Sequence, residues 1–93
     1  MTAQTVASPI PTLGRGHKFR FDQVRQAWVI LGPERMFVPD EHAVEVLKLI
    51  DGARSVDAIA ADLAARFAAP VEEIRADVQT MLADLASRGA VKL

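Results

Sequence analysis

The period of the apolar positions changes along the chain at Asp40, from about two residues to about three and a half. Between His17 and Asp22, cations and phenylalanines alternate, so Phe19 and Phe21 share one face of a predicted strand and Lys18 and Arg20 the other. Ala27 to Leu31 is continuously apolar, and Trp28, Val29 and Ile30 favour a strand covered on at least one side. Gln23 to Gln26 has the length of a hairpin connection between the two. Gly32-Pro33-Glu34 turns the chain again, and Arg35 to Val38 reads as a third short strand. Pro39 ends it, because a residue without an N–H cannot continue a ladder.

Beyond Asp40 the pattern is helical. Ala43, Val44, Leu47 and Ile50 fall on one face, Asp40 is placed to cap the first turn, and the spacing predicts a helix of about three turns stopping at Gly52. A second helix starts at the cap Ser55, with Asp57 in its first turn and Val56, Ile59, Ala60, Leu63 and Phe67 as its stripe. The two are hinged at Asp51-Gly52-Ala53-Arg54, a helix-turn-helix. Ala69-Pro70 interrupts the pattern, and a third helix follows with Glu72 and Glu73 at the positive end of its dipole. Its apolar stripe of Val71, Ile74, Val78, Met81, Leu82 and Leu85 is wide enough for more than one neighbour. Gly89 ends this helix and leaves Ala90 to Leu93 as a short extended tail. At the other end, residues 1–12 are rich in Thr, Ala, Gln, Ser and Pro and carry no charged side chain, the composition of a flexible tail or linker before a domain spanning 13–93. The expected fold is α+β: three short antiparallel strands followed by a three-helix bundle, in a winged helix-turn-helix-like arrangement.

Composition narrows what such a domain can do. The 93 residues include no cysteine, which rules out disulfides and thiolate chemistry. There is no apolar run of about twenty residues and no signal-peptide block at the start, so no membrane association is expected and the cytoplasm is the expected location. The two histidines, His17 and His42, lack partners at a metal-binding spacing. With no tyrosine, no phosphate-cradling glycine loop and no serine elbow, the chain reads as a binding module that needs no cofactor rather than as an enzyme.

Charge then separates the partners. Residues 14–39 carry Arg15, Lys18, Arg20, Arg25 and Arg35 against Asp22 and Glu34, whereas Asp40 to Leu93 holds ten acidic and six basic residues. A winged-helix DNA-binding regulator would place the third helix in the major groove. That helix carries Glu72, Glu73, Asp77 and Asp84 against Arg75 and Arg88, a net charge of −2 that phosphates repel. A peptide partner fits better. If Arg35, Met36, Phe37 and Val38 form a sheet edge, their unpaired backbone can take an extended peptide as an added strand. The third helix would wall the groove with Val78, with Arg75 and Gln79 on its rim, and with Leu82 halfway between core and groove. The plainer reading keeps Met36 and Phe37 as edge residues and Ile74, Val78 and Leu85 as packing. Trp28, or the face of Met81 and Leu85, is open to the same two readings, as a homodimer surface or as core.

Certain residues carry a resemblance: Pro11, Leu13, Arg15-Gly16, Asp22 and Arg25, Val29 to Leu31 with Pro33-Glu34, Asp51-Gly52 with Arg54, and Asp77-Val78 with Leu82 and Leu85. In order and spacing they resemble the pyrroloquinoline quinone (PQQ) biosynthesis protein D family over nearly all of Pro11 to Leu93. The resemblance implies a winged-helix-like domain of three strands and three helices that acts as a peptide chaperone, a precursor-peptide recognition element. Its implied partners are the ribosomally made PQQ precursor peptide and the radical S-adenosylmethionine (SAM) enzyme to which the peptide is presented for glutamate–tyrosine cross-linking. Related domains bind their leader as a strand between the third strand and third helix, which implies Arg35 to Val38 with Arg75, Val78, Gln79 and Leu82 here. A recognition domain for another ribosomal peptide product would share these features. Members often carry an aromatic residue where Ala90-Val91 stand, and some are fused behind another pathway enzyme, so residues 1–12 would suit a linker in a longer product.

Overall fold

The computed structural model describes residues 8–93, with strands β1 (Thr12–Leu13), β2 (Lys18–Asp22), β3 (Ala27–Leu31) and β4 (Met36–Phe37), helices α1 (Glu41–Leu47), α2 (Val56–Phe67) and α3 (Val71–Ser87), and strand β5 (Val91–Lys92). It is an α+β fold of antiparallel strands and three helices. The three strands expected from the alternation form one sheet in the order β2-β3-β4. Its register sets Phe19 opposite Ile30, Phe21 opposite Trp28, and Ile30 opposite Phe37. Directly opposed residues share a face. The face of Phe19, Ile30 and Phe37 is therefore the one that meets the helices, and Ile30 is wholly buried. Outward along that face Trp28 stacks on Phe19 at 4.8 Å and takes the edge of Phe21 at 5.7 Å.

Both expected N-caps form. Asp40 accepts from the Ala43 N–H at 2.8 Å and Ser55 from the Ala58 N–H at 3.1 Å. Helix α1 is shorter than its apolar spacing predicts, seven residues ending at Leu47. Ile50 keeps its place on the core face because the chain continues in tighter turns, Leu49 N–H to Val46 C=O and Ile50 N–H to Leu47 C=O. Gly52 does adopt positive φ, 79°, but in the following turn, where Asp51 accepts from the N–H groups of Ala53 and Arg54, each at 2.9 Å. Gly89 takes the same conformation after α3. Ile59, Leu63, Val78, Leu82 and Leu85 fill the space between α2 and α3 and join Ile30, Val46 and Leu47 in one core.

The start of the chain departs from expectation. Residues 1–7 of the expected tail lie outside the described residues, but residues 8–12 are packed. Pro11 is fully buried, and β1 pairs with β5 through Thr12–Lys92 and Leu13–Val91. Upstream, the Pro9 carbonyl accepts from Val56 N–H at 2.8 Å and the Ser8 hydroxyl from Asp57 N–H at 3.0 Å. These are first-turn donors of α2 that have no partner within the helix. Composition, small, polar and proline-rich without charge, does not reveal these contacts. The prolines of this segment fix φ, and the Pro9 carbonyl and the Ser8 hydroxyl face a helix start that needs acceptors. Ala90 to Leu93 is extended as expected, and within it Val91–Lys92 is paired with β1.

Candidate functional site

Strand β4 borders β3 alone, so among the described residues its other edge has no strand beside it. Met36 and Phe37 are half-buried, Phe37 against the core, whereas Arg35 and Val38 are exposed. The side chains thus hold the strand down while its backbone edge stays open.

The four expected residues of α3 do not converge. Leu82 is 0% exposed and belongs to the core, so it is not halfway to a groove. Val78, 2% exposed, is core with one side toward the surface depression described below. Arg75 turns toward α2: its Nε donates to Asp57 Oδ1 at 2.9 Å, and a second guanidinium nitrogen donates to Glu72. The hydrogen bond to Glu72, then that to Asp57, raises its pKa further above an already high value. Gln79 is exposed on yet another side. Residues at i, i+3, i+4 and i+7 share a helix face, and 75, 78, 79 and 82 do form such a series. That series, however, is centred between core, α2 and solvent.

The series one residue earlier meets open space. Ile74, Asp77, Val78 and Met81 line a groove of about 790 Å³ whose other walls are the start of α1, from Asp40 to Val46, and the end of α2, at Leu63, Arg66 and Phe67. The groove begins two residues after Val38, where the chain leaves β4 and enters α1. Its floor is apolar and its margin acidic, with Asp40, Glu41, Glu45 and Asp77 against the single guanidinium of Arg66 and the imidazole of His42. Glu45 is paired with Arg66 at 3.0 Å and with Lys48 at 3.8 Å, and Asp40 is engaged as the cap of α1. Glu41 and Asp77 have no ion pair among the described residues. Phe67 is 56% exposed on the same margin. The signal for this face was in the sequence, since Ile74, Val78 and Met81 belong to the stripe. What hid it was the width of the stripe, which gives no sign of which border is covered.

Among the described residues no three His, Asp or Glu side chains gather to hold a metal ion, and no helix is long and apolar enough to cross a membrane. Leu85, one candidate for a self-association face, is buried in the core, and Met81 lines the groove.

An unpaired strand edge that leads into an open, apolar groove defines a small α+β binding domain. Residues 27–91 match the family described as coenzyme PQQ synthesis protein D (PqqD), and the chain belongs to that family. The PqqA binding protein of Rhodopseudomonas palustris strain BisB5 is 56% identical over 79 residues, 85% of this chain and 78% of the relative. The bifunctional coenzyme PQQ synthesis protein C/D of Methylorubrum extorquens is 47% identical over 87% of this chain, which corresponds to 22% of that longer protein. Two solved structures share the fold. The PqqD portion of Methylobacterium extorquens PqqCD, described as a functional and stand-alone RiPP recognition element, superposes with a TM-score of 0.76 at 42% identity, covering 94% of this chain and 96% of the other. PqqD from Xanthomonas campestris gives 0.61 at 34% identity over 99% and 100%.

Proposed function

We propose that this domain is a non-catalytic peptide chaperone of PQQ biosynthesis, acting in the cytoplasm. It binds the precursor peptide PqqA as a strand added to β4 and holds it for the radical SAM enzyme of the pathway. The observation that carries this reading is the unpartnered edge of β4, from which the chain passes within three residues to the groove walled by α1, α2 and α3, in a chain 56% identical to a PqqA binding protein. An added strand gains backbone hydrogen bonds, and an apolar groove beside it selects side chains. The contacts of the peptide on α3 fall on Ile74, Asp77, Val78 and Met81, with Arg35 to Val38 supplying the edge. The DNA-binding alternative loses ground with the acidic margin of the groove, since phosphates need cations.

Amide spectra of the labelled domain during titration with synthetic PqqA test this. The expected shifts saturate along Arg35 to Asp40 and at residues 74–81. Shifts clustered at Asp57 to Asp62, or none at high peptide concentration, would overturn it.

A further inference from the structure

We infer that the groove is selective for charge, and that the segment of the partner it takes is an apolar anchor flanked by a lysine or arginine. This rests on the peptide-binding reading above and specifies the class of sequence bound at that site. The apolar floor, with Val46, Leu63 and Met81, suits an aliphatic or aromatic side chain. Four carboxylates stand around that floor and one guanidinium. Two of the carboxylates are already engaged, Glu45 by Arg66 and Lys48 and Asp40 by the first turn of α1.

Glu41 and Asp77 are different. They line the groove from two different helices, one from α1 and one from α3, and neither has an ion pair among the described residues. A cation entering the groove finds unpaired acceptors on two elements, and a carboxylate entering it meets repulsion. Complementary potentials of this kind set register and reject wrong partners more than they add affinity. None of the basic side chains of residues 14–39 lines the groove, and Arg66 and Lys48 pair with Glu45, so the domain leaves Glu41 and Asp77 without a cation of its own.

The test uses the whole chain with synthetic PqqA, and compares the wild type with Glu41→Gln/Asp77→Asn and with Glu41→Lys/Asp77→Lys. Both positions are exposed and unpaired, and because Glu41 stands in the first turn of α1, thermal melts establish that each variant is folded before affinities are compared. The expected result is graded. Neutralisation weakens binding about fivefold, the effect of two partly exposed ion pairs. Reversal weakens it further, and the dependence of Kd on salt expected of the wild type flattens in the neutralised protein. If PqqA binds the wild type and both variants alike, or binds the reversed variant more tightly, the charge inference is overturned and peptide binding stands. If PqqA does not bind the wild type, the peptide reading itself fails and the inference falls with it.

Discussion

Single residues that carry the family resemblance mostly build turns. Asp22 accepts from the N–H groups of Val24 and Arg25 at 2.9 and 3.3 Å and from the Arg25 guanidinium at 3.0 Å, closing the β2–β3 hairpin. Asp51 does the same for the turn through Gly52, and Arg54 reaches both Asp51 and Asp62. The backbone and side-chain hydrogen bonds from Arg25 hold the Asp22 carboxyl below its ordinary 3.8, and the backbone bonds from Ala53 and Arg54 do so for Asp51. A carboxylate whose pKa is lower folded than unfolded adds stability above the unfolded value and loses it as pH falls through the folded one. Thermal melts should therefore be level near neutrality and fall as pH drops below about 4, and Asp22→Asn with Asp51→Asn should shrink that fall. A melting temperature that falls as steeply in the double variant would show that other carboxylates dominate. Ala68 is a different case. It ends α2 at φ 52°, the left-handed region where Cβ meets the carbonyl, and its side chain is exposed. Ala68→Gly relieves that strain at some cost in unfolded-chain entropy and should stabilise the fold by about 0.5–1 kcal/mol, a rise of a few degrees in Tm.

Among the elements, how well the sequence announces each depends on where its partner lies. Strands β2 and β3 and helices α2 and α3 were legible because their signals are internal: alternation, an apolar run, the cap at Ser55, a break at Pro70. The pair β1 and β5 was not, because two residues give no period and the partner is almost the whole chain away, Leu13 against Val91. What the sequence does hold is Gly14. A Cβ there would come within 2.1 Å of the Gly89 carbonyl oxygen, while its N–H donates to the Ala90 carbonyl at 2.8 Å. Glycine is required by this close approach of backbones. Gly14→Ala must push β1 off β5, and with them the buried Pro11 and the acceptors that Ser8 and Pro9 offer to α2. The expected cost is about 2–3 kcal/mol, the range of overpacking. Urea unfolding should show the midpoint drop at constant m-value, and an unchanged midpoint would mean that the two ends part without consequence for the core.

For the molecule as a whole, core and groove share one helix, and the proposed uses of the two can be told apart by substitution. Helix α3 sends Leu82 inward, fully buried, and sends Ile74, Asp77 and Met81 to the groove, with Val78 serving both. From the sequence the peptide is expected on this helix and on the β4 edge, and the groove lies one residue around the helix axis from the expected series, since a stripe this wide has two borders and the neighbours of each are set by tertiary packing. Leu82→Ala removes wholly buried methyl groups and should cost about 2–5 kcal/mol. That is a large share of the roughly 5–15 kcal/mol a domain of this kind possesses. Any loss of peptide binding in that variant should disappear once affinities are compared at a temperature where both proteins are folded. Phe67→Ala, at a 56% exposed groove position, should do the reverse. Its stability should change by no more than about 1 kcal/mol, whereas its affinity for PqqA falls severalfold through lost apolar contact. Calorimetric titration of both variants, with melts of the same samples, reads the two quantities side by side. A folded Leu82→Ala protein with weakened binding would return Leu82 to the site, and a Phe67→Ala protein with full affinity would move the peptide off this groove and leave β4 as its only anchor.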